Sequence, residues 1–300
     1  MKRITSGTPG DFVLRLPNGG RLGFREYGDP AGTPLIFLHG WPGSSGQGVF
    51  FERPAREAGV RVISVDRPGI RTSSRIPGRS FLDVPPLVDE LCEALELERC
   101  DVMGLSGGGP YALACAWALP HRVRTAVICC GAPPLDSPDA RKKFSIAYQA
   151  MLSLHDRWPG ALEALLAPVS FAARIRPPWP LMKLLTRALP PRDREALGTP
   201  ERFREFYPSF RDAMRSGHRA LYEDGRGYSQ PWPFDVSEIN VPVRFWHGTM
   251  DNNFHHSLAQ RLASRIPRAV FHLREEGHYS LPVFCADEIF TDLLGRKGAA

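Results

Sequence analysis

Apolar residues along this chain come in short, nearly continuous runs that alternate with longer segments of helical periodicity. Such runs are typical of strands that are covered on both faces of a sheet. They occupy residues 34–40, 60–69, 100–106, 123–131 and 241–248. A later run at 269–278 alternates more between apolar and polar positions, which indicates a strand at the outside of the sheet.

Helical patterns separate these strands, and a hairpin precedes them. The hairpin consists of the runs FVLRLP and RLGFREYG joined by the turn sequence NGG. The helical segments are residues 46–58, 83–98, 107–119, 255–266 and 281–296. Strand–helix alternation of this kind predicts an α/β fold, with a mostly parallel sheet flanked by helices on both faces.

This rhythm breaks once, between about residues 132 and 235. The interval holds 14 of the 29 prolines and several aromatic-rich helical pieces, such as KKFSIAYQAMLSL. The strand–helix pattern resumes after INVP. We therefore predict one α/β core domain, residues 1–131 and 236–300, with an inserted helical cap at residues 132–235.

Composition and charge narrow the class of protein. Hydrophobic residues make up 43% and charged residues 23% of the chain, as in a soluble globular protein. Of the formal net charge of +6, residues 133–230 carry +5, from 16 basic and 11 acidic residues. The arginines there alternate with acids, as on solvated helix faces, so we expect no nucleic-acid partner.

No segment reaches the roughly 20 consecutive apolar residues of a membrane span, and the N-terminal stretch lacks the apolar run of a secretory signal. We therefore expect a cytoplasmic protein without a membrane partner. Oligomeric state is left open by the sequence. The cysteines form no C-x-x-C pair and sit in apolar surroundings, which predicts buried free thiols rather than a metal site or disulfides: Cys92, Cys100, Cys115, Cys129, Cys130 and Cys285.

The first candidate for chemistry is the stretch GLSGGGP at residues 104–110, which lies between a predicted strand and a predicted helix. A sharp strand-to-helix turn needs neighbours without Cβ atoms, because side chains there would collide with the backbone. Such a turn exposes the Ser106 hydroxyl above the sheet edge, near backbone N–H groups of the helix N-terminus. Ser106 is thus the predicted nucleophile.

A serine hydroxyl needs a base, and the base needs an orienting acid. Among the histidines, His278 lies after the last predicted strand in the glycine turn EEGHYSL, where its side chain can reach over the strand ends. His247, by contrast, ends a strand and is expected to pack there. Asp251 follows the strand VPVRFWHG at the same end of the sheet. The chain order Ser106, Asp251, His278 is that of the α/β-hydrolase triad.

The predicted oxyanion hole comes from two backbone N–H groups. Trp41 follows the strand PLIFLHG in a Gly/Pro/Ser loop, and its N–H is expected to join that of Gly107. The Trp41 ring is expected either to face the substrate or to pack under the cap. His39 is expected to brace this loop, and Asp66 to hold loop backbone.

With HGWPG, DRPG, GLSGG, HGTMD and GHYS in place, the chain resembles the α/β-hydrolase superfamily over nearly its whole length. The resemblance implies an eight-stranded sheet with a cap inserted after the sixth strand. It also implies Ser106 as nucleophile, His278 as general base and Asp251 as triad acid, with no cofactor or metal. HGWPG is similar to the HGGPG of proline iminopeptidases.

These observations predict a serine hydrolase that cleaves carboxylic esters or related small acyl compounds. A proline-iminopeptidase-like enzyme is an alternative, in which Glu223 and Asp224 hold the substrate amine, although the cap is net basic. A non-catalytic ligand receptor on the same scaffold is another. C–C hydrolysis, perhydrolysis or a lyase reaction would use the same triad. The sequence does not identify the substrate.

Overall fold

Nine strands form one sheet in the computed structural model, which describes residues 4–6, 10–137, 139–173, 175, 177, 183, 184, 186, 187 and 189–295. The strands are β1 (Ile4–Ser6), β2 (Asp11–Arg15), β3 (Arg21–Gly28), β4 (Thr33–Leu38), β5 (Val60–Val65), β6 (Cys100–Leu105), β7 (Val123–Cys129), β8 (Val243–Gly248) and β9 (Ala269–Arg274). Their spatial order is β1-β2-β3-β5-β4-β6-β7-β8-β9.

The pairing within the sheet agrees with the predicted fold class. The antiparallel pairs are β1 with β2, β2 with β3, and β3 with β5. From β5 onward, in the order β5, β4, β6, β7, β8 and β9, each strand is parallel to its neighbour. All six residues of β6 are buried, whereas the edge strand β9 contains none that is fully buried. The continuous apolar runs therefore lie in the sheet interior, and the alternating run lies at its edge.

One strand differs from expectation. The resemblance implied eight strands, and the ninth is β1, whose three residues pair antiparallel with β2. Its sequence, ITS, is too short to show a periodicity, so only the pairing reveals it. The predicted hairpin is confirmed: β2 and β3 pair from Arg15 opposite Arg21, and the amide of Leu16 donates to Gly20 O at 2.9 Å.

The described helices include one for each predicted helical segment of the core. They are α1 (Glu52–Ala58), α2 (Pro85–Ala94), α3 (Gly109–Ala118), α4 (Ile146–Arg157), α5 (Pro159–Ala172), α6 (Pro191–Leu197), α7 (Pro200–Arg215), α8 (His218–Arg226), α9 (His256–Ala263), α10 (Ser280–Phe284) and α11 (Ala286–Leu293). The segment predicted as one helix at 281–296 is two helices that meet at Cys285, and residue 296 lies outside the described residues.

Helices cover both faces of the sheet and bury it. On one face α2, α3 and α9 pack on apolar residues of the central strands, including Ile36 and Val102. On the other face α1 and α11 pack against Leu35, Met103 and Val127. Apolar residues that alternate along one strand therefore serve two different cores, as expected for a strand covered on both sides.

Five described helices, α4 to α8, lie in the chain between β7 and β8. Part of this region is bonded to the core through buried and partly buried polar groups. The hydroxyl of Ser209 in α7 accepts from the Ser44 amide at 2.9 Å, and Arg25 contacts Asp212 at 3.4 Å. The division into a core and a cap at residues 132 and 235 stays a prediction, and its outer limits at 1 and 300 lie outside the described residues.

None of the described helices combines the length and the apolar composition that are needed to cross a lipid bilayer. All six cysteines are buried, as predicted, and each is free.

Candidate active site

The turn between β6 and α3 holds Ser106 in a left-handed backbone conformation, with φ of 51°. This conformation is uncommon for a residue with a side chain. A Cβ added to Gly104 would lie 2.4 Å from Gly108 O, and one added to Gly108 would lie 1.9 Å from Leu38 O. Helix α3 can thus begin beside the end of β4 only because both positions are glycine. The predicted steric reason for these glycines is confirmed.

The turn places Ser106 beside two residues from distant parts of the chain. The Nε2 atom of His278 lies 2.9 Å from Ser106 Oγ, and its Nδ1 atom lies 2.8 Å from Asp251 Oδ2. All three residues are buried. Because a carboxylate only accepts, Nδ1 carries the proton and Nε2 is left to accept from the hydroxyl. The structure therefore joins the three predicted triad residues in one hydrogen-bonded chain.

The charges of Asp251 and His278 stabilise each other. Burial alone would raise the pKa of Asp251, but the His278 charge and hydrogen bonds from His247 and His278 hold it well below its usual range. Burial alone would lower the pKa of His278, but the charge and hydrogen bond of Asp251, together with the charge of Asp193, raise it above 6.5. Asp251 thus remains a carboxylate whenever His278 acts as a base.

Neighbouring groups orient the carboxylate of Asp251. Its Oδ1 atom accepts from the amides of Asn253 at 2.8 Å and Phe254 at 3.0 Å. The Nε2 atom of His247 lies 2.9 Å from Phe254 O and 3.2 Å from Asp251 Oδ2. Both neighbours are acceptors, so this nitrogen carries a proton. His247 packs at the strand end as predicted, and it also contacts the Asp251 carboxylate.

One buried cluster has the composition of a metal site. The possible ligand atoms of Cys130, His247 and Asp251 lie within 4.8 Å of one another. Both oxygens of Asp251, however, already accept hydrogen bonds from other groups. Burial also raises the pKa of the Cys130 thiol well above its ordinary value, so the thiolate that would bind a metal is disfavoured. The donor set therefore fits its structural role better than metal binding.

The predicted oxyanion residues lie next to Ser106. A Cβ added to Gly107 would lie 3.0 Å from Trp41 Cβ, and one added to Gly40 would lie 3.2 Å from Ser106 Cβ. The loop after β4 and the start of α3 therefore approach each other at Ser106. That their N–H groups bind an oxyanion stays a prediction. The Trp41 ring donates from Nε1 to Leu221 O at 3.0 Å, so it packs under α8 while it also borders the site.

A buried ion cluster braces the loop that carries Trp41. The Arg67 guanidinium is fully buried; it donates to Gly40 O at 3.2 Å and to Asp224 at 2.8 and 2.6 Å. Arg79 also binds Asp224. Burial and the charge of Arg67 lower the pKa of His39, whose Nδ1 lies 2.8 Å from Gly40 O. His39 is therefore a neutral brace, as expected.

These contacts correct one residue role that the aminopeptidase alternative assumed. Asp224 cannot hold a substrate amine, since it is fully buried between Arg67 and Arg79. Glu223 pairs with Arg75 at 2.6 Å. Asp66 behaves as expected, because it accepts from the Ser45 amide at 2.8 Å.

Arg67 and Asp193 were not identified from the sequence as parts of the site, and Asp224 was assigned a different role there. A charged residue in a helical segment gives the same sequence pattern whether it faces solvent or a buried partner. The DRPG motif marked the loop of Arg67, but not the inward direction of its side chain. Only the packing of α6 and α8 on the core reveals these roles.

Comparisons with known proteins identify the family of this chain. A family model described as "alpha/beta hydrolase fold" matches residues 33–283. The chain belongs to the alpha/beta hydrolase fold family. Among curated relatives, a non-heme chloroperoxidase of Streptomyces lividans is 35% identical over 129 residues, which make up 41% of this chain and 45% of the relative.

A second curated relative is 2-hydroxy-6-oxononadienedioate/2-hydroxy-6-oxononatrienedioate hydrolase 2 of Pseudomonas putida. It is 36% identical over 124 residues, 39% of this chain and 43% of that protein. The matched part thus spans less than half the length of either relative. An esterase (EaEST) from Exiguobacterium antarcticum superposes with a TM-score of 0.64 at 18% identity, covering 94% of this chain and 97% of the esterase. At that identity, the likeness shows the fold alone.

Two cavities of this alpha/beta hydrolase meet at Ser106. The first has about 710 Å³ of empty space, and its lining is largely apolar, including Phe144, Tyr148, Met151, Leu152, Tyr228 and Phe254. The second has about 640 Å³ and is lined by His278, Gln47 and Tyr279 among others. Trp41, Ser106 and Tyr148 border both. Ser106 therefore lies where a bound molecule could extend in two directions.

We predict that Asp224→Asn lowers the free energy of unfolding by about 3–5 kcal/mol, because it leaves Arg67 and Arg79 buried without a counter-charge. The matched control is Glu223→Gln at the adjacent position, where the partner Arg75 is 44% exposed. That change should cost less than about 1 kcal/mol. Urea denaturation of the three proteins measures both values, and equal costs would contradict the role of the buried cluster.

Proposed function

We propose that the protein is a cofactor-independent serine hydrolase that cleaves carboxylic esters or related small acyl compounds. The observation that carries the proposal is the position of the His278 imidazole, 2.9 Å from Ser106 Oγ and 2.8 Å from Asp251 Oδ2. This arrangement can activate a hydroxyl and stabilise the resulting imidazolium, which is what acyl transfer to serine requires.

In the proposed reaction, Ser106 Oγ attacks the substrate carbonyl carbon while His278 Nε2 takes the hydroxyl proton. Asp251 holds the imidazole in the tautomer with hydrogen on Nδ1, and its negative charge stabilises the imidazolium. The carbonyl oxygen becomes an oxyanion, bound by the N–H groups of Trp41 and Gly107.

The tetrahedral intermediate then collapses, and His278 gives its proton to the departing alcohol oxygen. An acyl ester on Ser106 remains. A water molecule, deprotonated by His278, attacks this ester through a second tetrahedral intermediate and releases the carboxylic acid. These steps require no cofactor.

The two cavities suggest how a substrate is oriented. Because His278 protonates the leaving group, that group must lie on the side of the imidazole, and His278 borders the second cavity. The acyl part then extends into the first cavity, beside Gly107. Its aromatic and aliphatic lining supports an apolar acyl group, since burying such a group there removes apolar surface from water.

The aminopeptidase alternative receives less support. It needs an acidic side chain to bind the substrate amine, and Asp224 is instead bound by two buried arginines. Hydrolysis of a carbon–carbon bond is the second candidate, since two of the relatives carry the name of a 2-hydroxy-6-oxononadienedioate hydrolase. Product analysis with esters, amides, β-diketones and hydrogen peroxide as co-substrate distinguishes these reactions.

The decisive test replaces the nucleophile. We predict that Ser106→Ala lowers turnover of p-nitrophenyl acetate and butyrate by about four orders of magnitude or more. Ser153→Ala, on the exposed side of α4, serves as the control and should keep wild-type activity. Undiminished turnover in Ser106→Ala would remove the proposed mechanism, and a fluorophosphonate label on Ser106 without steady turnover would favour a receptor.

The pH dependence of the wild-type protein is a second prediction. His278 must be neutral to accept the Ser106 proton, so activity should fall as the pH drops through the pKa of His278. Since Asp251 and Asp193 raise that pKa, the midpoint of the acid limb of kcat/KM should lie above pH 6.5. A profile that stays flat down to pH 5 would contradict the assigned base.

The assigned orientation of the substrate is tested by narrowing the first cavity. Met151 lines this cavity, and Met151→Trp adds bulk to it. We expect kcat/KM for p-nitrophenyl octanoate to fall about tenfold or more, while the value for p-nitrophenyl acetate stays within about twofold. The control is Phe210→Trp in the second cavity, which should not discriminate between acyl lengths.

A further inference from the structure

A buried carboxylate of α6 holds the loop that carries His278. The Oδ1 atom of Asp193 accepts from the amides of Tyr279 at 2.8 Å and Ser280 at 2.9 Å, and Oδ2 accepts from the amide of His278 at 3.1 Å. Only 1% of Asp193 is exposed. One side chain from the region between β7 and β8 therefore satisfies three successive backbone donors at the proposed general base.

The backbone amides of the His278 loop need hydrogen-bond acceptors from elsewhere in the chain. Its amides precede and begin α10, where backbone N–H groups have no acceptor within the helix. The Ser280 hydroxyl satisfies only one more, the Gly277 amide at 2.7 Å. A Cβ added to Gly277 would lie 2.3 Å from Asp193 Oδ1. Glycine at this position therefore allows the carboxylate to reach the loop.

A second contact fixes α6 against the same loop. Arg192 donates from Nε to Glu276 Oε2 at 3.1 Å, and its guanidinium lies 5.0 Å from the centre of the Phe284 ring. Neighbouring residues of α6 thus hold the chain before His278 and the helix after it. Through these contacts, a shift of α6 would move the loop that carries the His278 imidazole.

We propose that Asp193 is a positioning residue for the general base: docking of α6 completes the triad by holding the His278 loop and placing a negative charge beside it. This inference rests on the proposed function. Asp193 is not among the residues that line either cavity at Ser106, so it acts through His278 rather than on the substrate.

The charge of Asp193 adds to that of the triad acid. On the imidazole itself, Asp251 faces Nδ1 and the Tyr279 and Phe254 rings contact its edges. Other titratable groups of neighbouring elements contact the surroundings of the imidazole rather than the ring itself. They are His247, Cys130, Tyr148, Arg192 and Glu276. Asp251 and Asp193 are the groups whose charges raise the pKa of His278.

The test replaces Asp193 with a neutral side chain of the same shape. Asp193→Asn should lower kcat about 10- to 100-fold, because the loop loses charge-assisted hydrogen bonds, while KM stays within about twofold. The acid limb of kcat/KM should move to lower pH, since His278 loses a negative charge that stabilises its protonated form. The matched control is Glu195→Gln, which removes the same charge from a 60% exposed side chain of α6 and should change neither value.

A second pair of variants keeps the proposal testable if Asp193→Asn folds poorly. Gly277→Ala retains the carboxylate but displaces it from the loop, so kcat should fall by a similar factor. In an Asp193→Ala background the clash is gone, and Gly277→Ala should then lower kcat by less than about twofold further. Additive losses would overturn the contact as the cause.

The outcomes separate this inference from the proposed function. Unchanged kcat and an unmoved acid limb in folded Asp193→Asn, with Ser106→Ala inactive, would overturn the inference alone. An active Ser106→Ala would overturn the proposed function whatever Asp193 does. A fall in kcat with equal shifts in Asp193→Asn and Glu195→Gln would indicate a general charge effect and would also contradict the positioning role.

Discussion

The close approach of α3 to the end of β4 is the constraint on which the rest of the site depends. Gly108 lies so near Leu38 O that a Cβ would come within 1.9 Å of it, and in the same turn Ser106 adopts a left-handed conformation with φ of 51°. The hydroxyl then stands above the sheet in one direction. Every other group in the site is arranged around that direction: the imidazole of His278, the Trp41 loop and the two cavities.

Sheet topology explains why this point is accessible. The chain runs from β4 to β5 on one side and returns to β6 on the other, so connections leave the carboxyl ends of β4 and β6 in opposite directions. A crevice forms outside the carboxyl ends of two neighbouring strands when their connections leave in opposite directions. Residues of α4, α5 and α8 help to line the first cavity at Ser106, and residues of α4 and α7 help to line the second.

Buried carboxylates from the region between β7 and β8 bind loops of the core. Asp224 from α8 binds Arg67, which in turn holds the carbonyl of Gly40 in the loop of Trp41. Asp193 from α6 binds the loop of His278. Each carboxylate would be costly to bury alone, so its partners restrict where the helix can sit. The Trp41 loop and the His278 loop of the proposed reaction centre therefore both depend on the packing of this region against the core.

The sequence alone determined the α/β class and the sheet-edge position of β9, because continuous apolar runs and glycine-flanked turns are local signals. It also predicted Ser106, Asp251 and His278 as a triad, and the structure joins these three residues by hydrogen bonds. It also predicted why Gly104 and Gly108 are required. It did not reveal β1, the break at Cys285, or the roles of Arg67, Asp193 and Asp224. Those were decided by the tertiary structure: whether a charge faces water or a buried partner depends on residues far away in the chain, and no local pattern records that pairing.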